Sequence, residues 1–437
     1  MFSRKGSFTL LNMRKTKKST FETVLFSLCI ILCVMVSLQI GSKVLNDELH
    51  PDELLYVYYA GLFKSFFITH NINNPYWYSD LRYSAVPIGV YVIGLDLYYS
   101  PWRSMMREPD TILSFVRFSD GAIEKHPVPH VADLIYIVRS NMLVFMALCV
   151  VLIFALGWHL GWYYCGLPAV YLLLANRYFV SITGKALLES IWLFQHFLNI
   201  LLILAYLSRW QNKEKKEDWL LLLALLIGIS AGFLTGTKIH GALNIVIFLI
   251  CYLAVLVKQI LLPGLRRTAI LKSLFHVSII IGVSFFVFVL FNPALYANPA
   301  EGIKEIIFKR FHYFSAQISC LPFASLPTFM SRLKFVIQIV HPTFVTASLF
   351  LIGFAALGRK IAKSFEKDGS IGIYYLLGTA FLVELAAILK CMEVAFPRYV
   401  IVLLPYFYLI VCYGATWLVK KLFHLLKISR FNTVFSR

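Results

Sequence analysis

The chain has 437 residues, of which 59% are hydrophobic and 14% are charged, and its formal net charge is +19. A soluble protein would have roughly 25% charged residues, so this composition excludes the ordinary soluble classes. The apolar residues form continuous runs of about twenty, the length of a membrane-spanning helix, rather than the alternating pattern of a barrel strand. The basic residues lie in short clusters between these runs, which the positive-inside rule explains better than nucleic-acid binding does.

The sequence predicts an all-α polytopic membrane protein with about ten transmembrane helices. Residues 1–20 and 419–437 are basic tails, which we expect in the cytoplasm, and they flank a transmembrane domain at 21–418. The predicted spans are 21–40, 141–157, 162–180, 189–208, 219–236, 241–257, 273–291, 342–357, 371–390 and 399–418. With this count the basic clusters all fall on one side of the membrane, which supports both the count and the orientation.

The first exterior loop, residues 42–140, separates the first two spans and contains many acidic residues. An apolar and aromatic stretch at 54–67 predicts a helix that lies on the membrane surface. A second interfacial helix is expected around 131–139, directly before the second span. The loop is therefore predicted to cover the exterior face of the protein.

An acidic segment, residues 46–56, begins this loop. Its ionisable side chains before Tyr56 are Asp47, Glu48, His50, Asp52 and Glu53. Pro51 suits the first turn of a helix, where the helix dipole stabilises Asp52 and Glu53. Tyr56 lies one turn after Asp52, on the same face. The segment is either a solvated, well-capped helix start or part of a functional site, because free carboxylates beside a bilayer are costly unless they are wet, paired or in use.

Further charged residues lie at the predicted exterior ends of the spans. They are Arg177, Lys185, Glu189, Lys238, His240, Glu384, Lys390, Glu393 and Arg398. Basic residues at span ends often only reach toward the lipid headgroups. Lys238, however, lies in a short turn between Gly236 and Gly241, where glycines allow close backbone approach. A lysine in such a turn could hold a phosphate.

Carboxylates opposed by lysine and arginine at one membrane face predict a definite chemistry. A carboxylate can act as the general base on a hydroxyl group. The cations can hold and neutralise a phosphate leaving group, and a lipid phosphate lies at this depth. The combination suits glycosyl transfer from a polyprenyl-phosphate sugar.

Five segments of the chain are similar to motifs of the membrane-embedded GT-C glycosyltransferases. They are the His-Pro-Asp-Glu segment with its following tyrosines at 50–60, the turn at 178–189, Gly-Thr-Lys at 236–238, Phe-Asn-Pro at 291–293, and Pro-Arg-Tyr with Leu-Leu-Pro at 397–405. The chain resembles in particular the protein mannosyltransferase-like and aminoarabinose-transferase-like branch, glycosyltransferase family 39. These segments cover most of the chain in the family's order.

The resemblance implies an inverting transfer at the outer or lumenal face, without a nucleotide sugar. It assigns Asp52 as the base with Glu53 beside it, while Asp47 and Glu48 form a second acidic pair that competes for this role. The donor phosphate would be bound by Lys238, Arg398 and Tyr399. Further candidates for the pocket are Glu189, Lys185, His240 and Tyr56.

The implied partners are a polyprenyl-phosphate sugar donor, membrane lipids, and a lipid, glycan or protein acceptor, with no nucleic acid. No cofactor is required, although the carboxylates could hold a divalent metal ion. The short loops and the lack of an N-x-S/T sequon fit a bacterial inner membrane with the active site on the periplasmic side. The alternative class is a transporter or lipid flippase, for which Glu384 is the nearest candidate, and the third is a non-catalytic membrane scaffold.

The orientation can be tested by cysteine labelling at Ser79 or Ser119, both in the first exterior loop. We expect a membrane-impermeant reagent to label these positions from outside, because the basic clusters place both termini in the cytoplasm. Labelling from the cytoplasmic side alone would contradict the assignment of chemistry to the outer face.

Overall fold

The fold, a computed structural model, is described for residues 8–48, 50–72, 87–100, 131–211, 217–261, 267–308, 322–365 and 372–426. Residues 1–7 and 427–437, which belong to the predicted tails 1–20 and 419–437, and most of the predicted exterior loop between 73 and 130 lie outside the described residues. The helices are, in chain order, α1 Phe8–Gly41, α2 Pro51–Tyr59, α3 Pro87–Tyr99, α4 Val131–Gly161, α5 Tyr163–Ala175, α6 Arg177–Gly184, α7 Glu189–Trp210, α8 Glu217–Thr237, α9 Leu243–Leu261, α10 Arg267–Leu290, α11 Phe329–Val340, α12 Phe344–Ser364, α13 Ile373–Cys391 and α14 Leu403–Leu425.

Eight helices in the described ranges are long and apolar enough to cross a membrane, and the bent pair α5–α6 makes a ninth candidate span. These correspond in order to all the predicted spans except 273–291. That span falls in α10, whose described apolar part, Leu274–Leu290, is shorter than the others. The chain is an all-α polytopic membrane protein, and the predicted fold class is confirmed.

The predicted span 162–180 is not one straight helix, because α5 and α6 meet at 76°. Asn176 causes the break. Its backbone leaves the helical region, and its side-chain oxygen accepts hydrogen bonds from the backbone N–H groups of Tyr178 (3.0 Å) and Phe179 (3.1 Å). This cap starts α6 in a new direction. Helix α6 then carries the chain to the turn that precedes α7.

The stretch 54–67 was predicted as a helix on the membrane surface, but the structure divides it between α2 and a short helical turn at Lys64–Ile68. Residues 57–63 are all buried, and they pack against α3 and α4 around Ile93 and Val138. Helix α3, which the sequence did not predict, approaches so closely that a Cβ on Gly94 would overlap Phe63 and the Ala60 carbonyl oxygen. Described aromatic residues of this loop, among them Tyr58, Tyr59, Phe63 and Tyr91, therefore belong to a second buried core.

The separate interfacial helix expected at 131–139 is also not observed, since these residues are the first turns of the continuous helix α4. The first half of α4 packs against α2 and α3, and its second half packs among the spans. The helix is thus longer than the predicted span and extends into the exterior layer. This extension places Arg139 next to the acidic segment.

Four chain segments meet at one end of the bundle, the end that the sequence predicts to be exterior. They are the start of α2, the turn 185–188 before α7, the end of α8 with Lys238, and the single turn Pro397–Val400 before α14. They come from distant parts of the sequence, so their side chains can only meet in the folded bundle. The candidate site lies where these segments meet.

Candidate active site

The acidic segment begins α2 through a capping box formed by His50 and Glu53. The His50 Nδ1 atom accepts a hydrogen bond from the Asp52 backbone N–H (3.1 Å), and Glu53 Oε2 accepts one from the His50 backbone N–H (2.8 Å). This reciprocal arrangement satisfies backbone donors that a helix start leaves free. It also fixes the direction in which the Asp52 side chain leaves the helix.

Glu53 is completely buried and uses both carboxylate oxygens for hydrogen bonds. Oε1 accepts from Arg139 Nε (2.8 Å) and the Ala186 backbone N–H (2.6 Å), and Oε2 accepts from an Arg139 terminal nitrogen (2.7 Å) as well as from His50. Burial alone would raise the pKa of Glu53, but these hydrogen bonds outweigh it and lower the pKa. With its oxygens occupied in this way, Glu53 is a structural anchor rather than a free proton acceptor.

Arg139 extends this anchor to the rest of the acidic segment. Its terminal nitrogens donate hydrogen bonds of 2.8–3.1 Å to the backbone carbonyls of Val44, Leu45, Asp47 and Glu48. Because the backbone provides the contacts, the side chains of Asp47 and Glu48 remain exposed. Lys185 also donates to the Glu48 carbonyl (3.2 Å). The second acidic pair is therefore held by its backbone, outside the buried cluster.

Asp52 forms an ion pair with Arg398 from the turn before α14. The Asp52 residue is only 8% exposed. Burial would raise the pKa of Asp52, but Arg398, His50 and Lys238 together lower it. Arg398 also lies over the rings of Phe396 and Tyr399, with its guanidinium carbon 5.2 Å and 5.6 Å from the ring centroids. The structure thus joins the two residues predicted as base and phosphate ligand.

Lys238 forms the second ion pair of the site, with Glu189 at the start of α7 (2.5 Å). Its ammonium group also lies 5.7 Å from the ring centroid of Trp192, one turn along α7. The Glu189 residue is completely buried, and its other oxygen, Oε2, has no hydrogen-bond partner in the described part of the chain. This leaves Oε2 as an acceptor beside the lysine.

The two ion pairs belong to one electrostatic cluster. Lys238 helps to lower the pKa of Asp52, and Glu189 helps to raise the pKa of Arg398, so each pair acts on a member of the other. Burial raises the pKa of Tyr56, on which Arg398 and Asp52 also act. The cluster contains two carboxylates and two permanent cations, and its formal charge is balanced when His50 is neutral.

A second polar layer lies beneath this cluster, on the inner side of Trp192. His240 contacts Glu384 through Nε2 and Oε2 (2.6 Å), and His196 contacts the Tyr406 hydroxyl through Nε2 (2.6 Å). The Trp192 ring centroid lies 5.5 Å from the centroids of both histidines. The layer therefore connects the outer cluster to α13 and α14.

Each predicted site residue has a position in this arrangement. Asp52, Glu189, Lys238 and Arg398 form the cluster, with Tyr56 and Tyr399 beside it. Asp47 and Glu48 are exposed, and Lys185 donates a hydrogen bond to the Glu48 carbonyl. Sequence reasoning missed Arg139, although an arginine inside an apolar stretch is a usable signal. It also missed His196 and Tyr406, which no spacing in the sequence connects.

Among the described residues, no group of three or more His, Cys, Asp or Glu side chains is arranged to hold a metal ion. Asp52 faces Arg398, and Glu53 is occupied by hydrogen-bond donors.

No protein-family model matches the chain, and no curated protein matches it. Among solved structures, it is similar to the oligosaccharyltransferase of Archaeoglobus fulgidus in three forms. Each form has 13% sequence identity to this chain. The complex with Zn and sulfate has a TM-score of 0.48, and the match covers 92% of this chain and 51% of that chain. The form tethered to an acceptor peptide with the NVT sequon has a TM-score of 0.49 with coverages of 93% and 51%, and the apo form has a TM-score of 0.49 with coverages of 93% and 52%. The chain spans about half the length of these structures. At 13% identity and with TM-scores of 0.48 and 0.49, the similarity by itself decides neither the fold nor the activity of this chain.

The role of Glu53 as an anchor can be tested by Glu53→Gln. We expect this change to destabilise the folded protein by about 3–5 kcal/mol, because it leaves Arg139 buried without its counter-charge. Thermal unfolding of the purified protein in detergent would measure it. Glu48→Gln is the matched control, since the Glu48 side chain is exposed and only its backbone contacts Arg139. Equal stability of both variants would show that the Arg139–Glu53 pair is not the anchor.

Proposed function

We propose that this protein is a membrane glycosyltransferase of the GT-C type that moves a sugar from a polyprenyl-phosphate donor to a hydroxyl-bearing acceptor at the exterior membrane face. The observation that carries the proposal is the single cluster in which Asp52 and Glu189 meet Lys238 and Arg398. It lies at the span ends that the sequence predicts to be exterior, where the phosphate of a membrane-bound donor would be.

In the proposed reaction, Asp52 accepts the proton of the acceptor hydroxyl as its oxygen attacks the anomeric carbon of the sugar. The new carbon–oxygen bond forms on the face opposite the leaving group, and the bond from the anomeric carbon to the phosphate oxygen breaks. The polyprenyl phosphate departs with the electron pair of that bond, and Lys238 and Arg398 stabilise its added negative charge. A single displacement inverts the anomeric configuration.

The ion pairs of the cluster support a link between donor binding and the strength of the base. Arg398 is the strongest of the partners that lower the pKa of Asp52, whereas burial acts in the opposite direction. A donor phosphate that draws Arg398 away would therefore raise the pKa of Asp52. Asp52 would become a stronger proton acceptor only when the donor is in place.

Asp52 is favoured over the other acidic residues as the base. The Glu53 oxygens are held by Arg139, Ala186 and His50, and Asp47 and Glu48 are exposed. For the location we propose a bacterial inner membrane with the site on the periplasmic side. The acceptor class stays open among lipid, glycan and protein.

The experiment that tests the base is Asp52→Asn, which keeps the shape of the side chain and removes its proton-accepting charge. Transfer from a polyprenyl-phosphate sugar by the purified protein should fall by about 10²–10⁴-fold. Asp47→Asn is the matched control, because it makes the same chemical change on an exposed side chain five residues earlier. If Asp47→Asn is the more damaging change, the choice of acidic pair is wrong.

The donor-phosphate site is tested by Arg398→Lys, Arg398→Ala and Lys238→Ala. Arginine can grip two phosphate oxygens in a fixed fork and lysine cannot, so Arg398→Lys should impair transfer although it keeps the charge. The two alanine variants should raise the KM for the donor and combine less than additively if both cations hold one phosphate.

Arg177→Lys is the control for the arginine change, because Arg177 is exposed and its described contacts are with Tyr178. Transfer by this variant should be unchanged. Normal transfer by both alanine variants, with only their membrane stability altered, would instead mean that Lys238 and Arg398 merely anchor the ends of the spans.

A further inference from the structure

Glu384 is a carboxylate inside the membrane-spanning helix α13, and it is completely buried. A charge in this position is costly unless a partner balances it. Two histidines face it: Nε2 of His240 lies 2.6 Å from Oε2, and Nδ1 of His196 lies 3.8 Å from Oε1. Either histidine could balance the charge of Glu384 if it carried a second ring proton.

His196 has both ring nitrogens engaged by neutral groups. Its Nε2 atom contacts the Tyr406 hydroxyl (2.6 Å), and its Nδ1 atom accepts a hydrogen bond from the Asn244 side-chain amide (2.9 Å) in the amide orientation of the structure. A nitrogen that accepts cannot carry a proton. In this arrangement His196 is neutral, and His240 is the histidine that can carry a proton beside Glu384.

His240 is placed differently, at the boundary between the buried layer and the outer cluster. A third of its side chain is exposed, while the Glu384 side chain is 1% exposed. Contact of Nε2 with Glu384 leaves Nδ1 as the ring atom that can reach a ligand. The same contact fixes the orientation of the ring, as carboxylate partners of functional histidines do.

His240 and Lys238 lie on the same side of the site. They are two residues apart in one turn, and both contact the Trp192 indole: the ring centroid is 5.7 Å from the lysine nitrogen and 5.5 Å from the His240 centroid. Lys238 pairs with Glu189, and His240 pairs with Glu384. Each cation of this turn thus has its own buried carboxylate.

We propose that His240, held in place as a cation by Glu384, is a third ligand of the phosphate monoester or diester that Lys238 and Arg398 bind. His240 would donate from Nδ1 to a phosphate oxygen, and Glu384 is a positioning residue that acts only through His240. This inference rests on the proposed function, since it adds a residue to the same phosphate site. The ligand chemistry is a phosphate group, either on a polyprenyl lipid or free in solution.

The proposal can be tested without a sugar-transfer assay. Calorimetry would measure the binding of geranyl phosphate and of inorganic phosphate to the full chain, purified in detergent. His240→Gln and Glu384→Gln should each weaken geranyl phosphate binding about tenfold, the effect of one lost charge-assisted hydrogen bond. The double variant should bind no worse than either single variant, because both remove one interaction. His240→Lys should recover part of the affinity, which a merely structural histidine would not.

Glu301→Gln is the matched control, since Glu301 is 61% exposed and its described side-chain contact is an exposed pair with Lys304. It should bind geranyl phosphate as the unmodified protein does. If the unmodified protein binds inorganic phosphate as tightly as geranyl phosphate, the site is assigned to a free phosphate rather than a lipid. Equal weakening of both by His240→Gln would still support the His240 contact.

Two results would overturn the inference, and they are distinguishable. If the unmodified protein binds geranyl phosphate and the folded His240→Gln variant binds it equally well, His240 is not a ligand, and the proposed function is unaffected. If the unmodified protein binds neither phosphate compound, the phosphate site itself fails, and the proposed donor fails with it. For Glu384→Gln, an unchanged donor KM in transfer assays would remove its positioning role.

Discussion

The buried pair of Arg139 and Glu53 is the interaction on which the exterior layer depends. A single guanidinium joins the helix start at α2, the carbonyls that precede it, and the extended helix α4, while Glu53 also binds the turn before α7. An arginine can do this because its five donors lie in a fixed plane. Once this pair is formed, the backbone around Asp52 has little freedom, and the position of the candidate base is set by structural residues.

The cluster above the spans is balanced in charge before any ligand binds. Asp52 pairs with Arg398, and Glu189 pairs with Lys238. Pairing lowers the cost of placing charges at low exposure next to a membrane. In the proposed reaction, a donor phosphate would replace carboxylates as the partner of these cations, which would couple donor binding to the proton affinity of Asp52.

Beneath this cluster, the inner layer of Glu384, His240, His196 and Tyr406 connects the site to the helices that cross the membrane. A polar layer at this depth is more than packing requires, because apolar side chains would fill the space at lower cost. A buried carboxylate can, however, fix the ring of a histidine whose other face is exposed. The two layers share Trp192, which contacts Lys238 of the outer cluster and both histidines of the inner layer.

The sequence by itself determined the fold class, because runs of about twenty apolar residues leave helices as the only way to satisfy the backbone in lipid. It also marked Asp52, Lys238 and Arg398, since they lie in short motifs where carboxylates and cations share one predicted face of the membrane. It could not show that residues 57–63 are buried in the protein, because an apolar stretch does not by itself specify which helices pack against it. Only the tertiary structure decided that Glu53 binds Arg139 while Asp52 faces Arg398: the two carboxylates are adjacent in sequence, and their roles differ only in which distant helix each side chain meets.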